Sequence, residues 1–128
     1  MEIEKVSGDY RPLILVAEDD DSNFKLIKAI IGKKCEILWA KNGEDIVNLF
    51  EENRDKAEAI LMDIKMPIMN GLDATVIIRK KDKELPIIMQ TAYAFTADRE
   101  KALEVLVKPI TLSALRTCLS RYLPKLVW

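Results

Sequence analysis

Histidine is absent from all 128 residues. Its absence excludes imidazole acid–base chemistry and a phosphohistidine within the chain itself. Cysteine is scarce: Cys35 and Cys118 stand far apart among apolar neighbours with no C-x-x-C spacing. They read as reduced packing residues of a cytoplasmic protein, with a disulfide or metal pair as the lesser reading. Charge of one sign is lacking as well, since 20 basic residues face 21 acidic ones and the net charge is −1. Nothing therefore pulls the whole chain toward nucleic acid or an anionic membrane. The longest uncharged stretch, Leu85 to Ala97, is too short to span a bilayer. Residues 1–11 carry five charges and no apolar centre, so they are no secretory signal. No repeat or low-complexity segment occurs. What remains is 49% apolar and 32% charged, an ordinary balance for one domain with one core.

The apolar runs that are present end in polar chemistry. Ile60-Leu61-Met62 runs into Asp63, and the chain then breaks at Pro67 and Gly71. Leu13 to Ala17 runs into Glu18-Asp19-Asp20, Pro86 to Gln90 into Thr91, and Val105 to Val107 into Lys108-Pro109. Runs without alternation at 13–17, 59–62 and 105–107 suit strands buried on both faces. In open α/β sheets, ligands bind at the carboxyl ends of the strands. An acid pair, an acid, a hydroxyl and a lysine at successive strand ends form a pocket suited to phosphoryl transfer. An α/β domain with no active site would explain the runs but not their endings.

Helical spacing fills the gaps. Phe24, Ile27, Ile30 and Ile31 form a stripe with Asp21 or Ser22 as N-cap and Gly32 as stop. A strand near Cys35–Ala40 leads through Asn42-Gly43 to a helix with Ile46, Leu49 and Phe50 on one side. Ala74, Ile77 and Ile78 face inward from a helix near Leu72–Lys81. Thr96-Ala97-Asp98 starts another, and Thr111 caps a last one whose buried stripe is Leu112, Leu115, Leu119 and Tyr122. Strands separated by helices predict βαβ units, a parallel sheet and helices on both faces. The expected domain spans 12–123, with 1–11 as an extension or linker and 124–128 as a tail.

Four motifs then carry a resemblance. They are Ile14-Leu15-Val16-Ala17-Glu18-Asp19-Asp20, Leu61-Met62-Asp63-Ile64-Lys65-Met66-Pro67-Ile68-Met69-Asn70-Gly71, Thr91-Ala92 and Lys108-Pro109. In this order they resemble the receiver domain of two-component response regulators, over about residues 12 to 123. The first two look more like receivers attached to hybrid sensor kinases than like DNA-binding regulators. The resemblance implies a flavodoxin-like (βα)5 doubly wound sheet of five parallel strands in the order 2-1-3-4-5. It implies phosphoacceptor chemistry at Asp63, with Thr91 and Lys108 contacting the phosphoryl group. Mg²⁺ would be bound by Asp19, Asp63 and the carbonyl of Lys65, with Glu18 acting mainly through water. The implied partner is a sensor histidine kinase or a histidine phosphotransfer domain, with a weak homodimer also allowed. Neither nucleic acid nor membrane is expected to contact the domain, and any output passes through a partner or a larger parent chain. A cis Lys108–Pro109 peptide would aim the ammonium into the pocket.

The chemistry accounts for the residue types. Asp63 must be ionised to attack phosphorus, yet Glu18 and Asp19 crowd it. At ~5 Å and an effective dielectric near 20, each like-charge pair costs about 3 kcal/mol. A divalent ion removes that penalty, and an all-oxygen site with open positions favours Mg²⁺. Asp20 reads as a solvated helix start, and Met62, Met66, Met69 and Met89 as packing rather than a partner groove.

Two departures stand out. Receivers carry an aromatic three residues before the lysine, and Val105 stands there, leaving a ring-flip switch without its ring. Tyr93 and Lys65 occupy positions the family uses to tune hydrolysis of the acyl phosphate, and a ring at 93 would shield it from water. Thr91 to Lys108 spans 17 positions, about five fewer than the family pattern and near the minimum for a βαβ crossover. The pattern predicts a chain interrupted in space between Glu104 and Val105; the alternative is a true deletion with a distorted helix. Other functions compete. A pseudo-receiver serving as an interaction module would not need the complete set Asp19, Asp63, Thr91 and Lys108. A phosphoaspartate enzyme of another fold would favour Asp-x-Asp, and Lys65 stands two residues after Asp63.

Overall fold

A computed structural model of the chain describes residues 10–91, 104–108 and 110–128. Strands β1 (Leu13–Ala17), β2 (Glu36–Ala40), β3 (Ala57–Asp63), β4 (Ile87–Thr91) and β5 (Glu104–Val107) form one parallel sheet in the order β2-β1-β3-β4-β5. Four helices are described: α1 (Asp21–Ile31), α2 (Gly43–Glu52), α3 (Gly71–Lys81) and α4 (Leu112–Tyr122). The order that the resemblance implies is the one found.

The sheet is covered on both faces, as parallel crossovers require. One face buries Ile14, Val16, Leu61 and Ile88 against Ile27, Ile30 and Ile31 of α1 and Leu115, Cys118 and Leu119 of α4. The other buries Leu15, Ala17, Ile60, Met62 and Met89 against Ile46 and Phe50 of α2 and Ala74 and Ile78 of α3. Each such Ile, Leu or Phe contributes roughly 1.5–3 kcal/mol by leaving water. Met62 and Met89 lie in this second core, and Met66 and Met69 pack against it, as packing residues do. Both cysteines are buried, and no disulfide joins them. Burial, helped by Glu58 and opposed by Arg11, pushes the Cys35 thiol up to about 11, which leaves it protonated and inert.

Every described helix starts on a side-chain cap. Asp20 accepts from Ser22 N at 3.2 Å, Asn42 from Asp45 N at 2.8 Å, Asn70 from Asp73 N at 2.8 Å and Thr111 from Ala114 N at 3.1 Å. Each cap is worth about 1 kcal/mol. The cap of α1 is thus Asp20 rather than Asp21 or Ser22, which sit in the first turn. Leu112 is a second correction: it is 49% exposed, and Cys118 takes its place on the buried stripe of α4. Leu112 directly follows the cap, in the first turn of the helix.

Neither end of the 12–123 span is bare. Tyr10 packs on the core and donates to Glu58 Oε1 at 2.9 Å, while Leu126 is buried in the α1/α4 core. The expected interruption between Glu104 and Val105 is not found. They are successive residues of β5, beside Ile88 and Met89 of β4. The 12 residues 92–103 satisfy the length a crossover needs, about 10–12 residues, so the connection is short in the chain itself. The predicted helix from Thr96, Tyr93, the Lys108–Pro109 peptide and the Val105 side chain lie outside the described residues.

Candidate functional site

The site stands at the carboxyl ends of β1, β3, β4 and β5. Beyond β1 the chain stays paired for one more residue, because Glu18 N donates to Ala40 O at 2.9 Å. The indole N–H of Trp39 donates to the carbonyl of Glu18 at 2.7 Å, so both backbone polar groups of Glu18 are held by β2. Trp39 itself stacks on Phe24, with ring centroids 3.9 Å apart, and Lys41 Nζ lies 4.7 Å from its ring. The Glu18 side chain is fully buried. Its Oε1 accepts from Asn23 Nδ2 at 2.5 Å and its Oε2 from Asp20 N at 3.2 Å. Asp19, next in the chain, is exposed and lies beside Asp63.

Asp63 closes β3 and is 4% exposed. The turn after it is tightly fixed. Gly71 N donates to Ile64 O at 2.8 Å and Gly43 N to Met69 O at 2.8 Å. A Cβ at Gly71 would collide with the Asp63 carbonyl, and one at Gly43 with the Met69 carbonyl. Glycine at 71 therefore lets α3 start directly against the phosphoacceptor candidate. Ile68 in the same turn has a φ of 71° and is 76% exposed. A β-branched residue in that region stores strain beside the site.

Lys108 reaches across from β5 to Asp63 Oδ1 at 3.1 Å and Glu18 Oε1 at 3.4 Å. Its backbone N–H donates to Thr91 O at 2.8 Å, which locks the end of β4 to the end of β5. Thr91 is buried at that strand end, and Lys65 is exposed in the turn after β3. One carboxylate oxygen from each of Glu18, Asp19 and Asp63 falls within 4.8 Å of the others.

The electrostatics follow from this crowding. Burial, then the charge of Glu18, push Asp63 up to about 7; Lys108 pulls it down by charge and hydrogen bond, and a hydrogen bond from Asp19 pushes it up again. Burial draws the Lys108 ammonium down, but Glu18 and Asp63 outweigh it and hold its pKa above the ordinary value. A carboxylate kept half-protonated near neutrality beside two others is short of positive charge. An all-oxygen donor set with that deficit fits a hard divalent cation.

Asn23, Trp39 and Gln90 are the neighbours that the sequence reading missed. Gln90 is fully buried on β4 at the register position of Asp63. A polar residue inside the run Ile87-Ile88-Met89-Gln90 was a visible signal. No pattern in the sequence shows that Trp39 meets the Glu18 carbonyl, because that contact depends on how β2 lies against β1.

Comparison with known proteins agrees with this geometry. The family model for the response regulator receiver domain matches residues 14–120. Hybrid signal transduction histidine kinase I of Dictyostelium discoideum is 42% identical over 71% of this chain, and hybrid signal transduction histidine kinase G of the same organism 36% identical over 94%. The chain spans only 6% and 4% of their lengths. The receiver domain of sensor histidine kinase PA1611 from Pseudomonas aeruginosa PAO1, solved with a magnesium ion in its active-site cleft, superposes with a TM-score of 0.77 at 30% identity, covering 88% of this chain and 98% of that one. The sheet order, the carboxylate cluster at its carboxyl edge and these matches place the chain in the response regulator receiver domain family.

Proposed function

We propose that this receiver takes a phosphoryl group from the phosphohistidine of a sensor histidine kinase or phosphotransfer domain onto Asp63. The observation that carries this reading is the convergence of Asp63 with Glu18, Asp19 and Lys108 at one sheet edge. Asp19, Asp63 and the Lys65 carbonyl would hold Mg²⁺, with Glu18 acting through water. When bound, the ion supplies charge neutralisation for the acidic cluster and for the phosphoryl oxygens.

The chain's own residues do the rest. Asp63 provides the carboxylate oxygen that forms the new O–P bond as the histidine N–P bond breaks. The departing imidazole takes its proton from solvent. Lys108 offers a fixed positive charge to a phosphoryl oxygen and Thr91 a hydroxyl donor, both aimed where negative charge develops. Glu18 keeps Lys108 charged, and Asn23 keeps Glu18 oriented. Water later cleaves the same O–P bond and resets Asp63, so no metabolite is turned over. The domain would work in the cytoplasm; among the described residues no helix is long and apolar enough to cross a membrane. Phosphorylation would change which partner surfaces dock.

The test uses phosphoramidate as a P–N donor with Mg²⁺, followed by hydroxylamine, which converts an acyl phosphate to a hydroxamate. Peptide mapping is expected to find the hydroxamate at Asp63. A chain left unlabelled with Mg²⁺ present would mark it instead as an interaction module without phosphoacceptor activity.

A further inference from the structure

Gln90 is the unexplained residue of this sheet. It is fully buried, and among the described residues neither its Nε2 nor its Oε1 has a hydrogen-bond partner. Buried amides are almost always paired, because the alternative forfeits water without replacement. An apolar residue of similar volume would fill the position without that penalty.

Its place in the sheet suggests why a carboxamide is kept there. Gln90 pairs in register with Asp63 on one side and with Leu106 on the other. Partners in a parallel ladder project to the same face, about 5 Å apart. Gln90 thus lies on the face of Asp63, under the path Lys108 takes from β5 across β4 to Asp63 Oδ1. In the unphosphorylated state that oxygen already has its donor, the Lys108 ammonium at 3.1 Å. When Asp63 becomes an acyl phosphate, most of the negative charge moves outward onto the phosphoryl oxygens. The ammonium follows it, and the Asp63 carbonyl oxygen loses its donor.

We propose that Gln90 is a further residue of the phosphorylation site, whose side-chain N–H takes over the Asp63 carbonyl oxygen as Lys108 moves to the phosphoryl group. The side-chain N–H is then orphaned in one state and paired in the other, so it biases the domain toward the phosphorylated form. Its place on the α1/α4 face of the sheet also ties that bias to the core under α4. The inference rests on the phosphoacceptor reading above and adds a residue that reading does not use.

The test compares wild type with Gln90→Met, a swap close in volume, by thermal unfolding with Mg²⁺ and with and without beryllofluoride, which mimics an acyl phosphate on a carboxylate. Without beryllofluoride the variant is expected to melt about 3–6 °C higher, because the orphaned amide is gone. Its affinity for beryllofluoride is expected to fall about five- to tenfold, the worth of one hydrogen bond between neutral groups. An unchanged affinity would overturn the proposal whatever the melting temperature does. A second readout needs no variant to fold: in the wild type, the Gln90 side-chain amide protons should move downfield in the NMR spectrum when beryllofluoride binds. If they stay in place, the proposal is wrong. A wild type that ignores beryllofluoride with Mg²⁺ present would remove the phosphoacceptor reading itself. A normal wild-type response matched by the variant removes the role of Gln90 alone.

Discussion

The two edges of the sheet obey opposite rules. At the amino edge the polar groups described are matched. Arg11 donates to the carbonyls of Gly32, Lys33 and Cys35 at 3.2, 2.6 and 3.1 Å, covering the orphaned acceptors that follow α1. Tyr10 donates to Glu58, and burial together with that hydrogen bond pushes its hydroxyl up to about 12. At the carboxyl edge three carboxylates crowd together and one lysine bridges two of them, a buried amide has no partner among the described residues and Ile68 sits in a left-handed conformation. The amino edge is finished by folding. The carboxyl edge is left unfinished, and its unmet charge is what a cation and a phosphoryl group complete.

Breaking the carboxyl edge should cost activity, and breaking the amino edge should cost stability. The largest effect is expected from Lys108→Met, which should slow labelling by a phosphodonor about 10²–10³-fold, the cost of losing one fixed charge at a developing anion. Arg11→Met should label at the wild-type rate, and quench-flow kinetics on the two variants checks the contrast.

Next in size is the metal-free fold. The pKa of Asp63 is raised to about 7 from 3.8, so between roughly pH 4 and 7 the native state binds a proton that the unfolded chain does not. Stability is therefore greatest at the low end of that window and declines as pH rises through it. Asp63→Asn should remove the decline and stabilise the metal-free protein at pH 8 on the order of 2 kcal/mol. Urea unfolding across pH measures this, and a wild-type stability that climbs between pH 4 and 7 while the Asn variant stays flat would contradict it.

Arg11→Ala is expected to cost about 1–2 kcal/mol, since three carbonyls lose a charged donor near the surface. Its effect should appear in the urea midpoint with no change in labelling. The smallest effect is expected from Trp39→Phe, which keeps a ring on Phe24 but removes the donor to Glu18 O. A stability loss of about 1 kcal/mol should accompany a higher half-saturating Mg²⁺ concentration at an unchanged limiting rate. A change in the limiting rate alone would show that Trp39 does not act through the acidic loop.

The contrast between the edges also explains what was legible in the sequence. Runs buried on both faces, such as Leu13 to Ala17 and Ala59 to Met62, carry their strand identity in composition, so the strands and the parallel sheet could be read directly, while the strand order came from the family resemblance. The polar endings Glu18, Asp63, Thr91 and Lys108 mark the carboxyl edge because each interrupts an apolar run. Contacts between elements were not readable. Trp39 on the Glu18 carbonyl, Arg11 on the carbonyls after α1 and Gln90 beside Asp63 depend on register and on which strands become neighbours. The interruption expected at Glu104–Val105 is absent for a different reason: the family length pattern calls for a longer connection, yet the 12 residues 92–103 already suffice for a crossover.

The central claim is that the carboxyl edge is completed by a cation and one phosphoryl group on Asp63. Intact-mass measurement after acetyl phosphate treatment, with Mg²⁺ or with EDTA, tests it most directly. The account predicts a single added phosphoryl mass on the wild type with Mg²⁺, none with EDTA, and none on Asp63→Asn under either condition. Full labelling of Asp63→Asn, or labelling of the wild type that persists in EDTA, would contradict it.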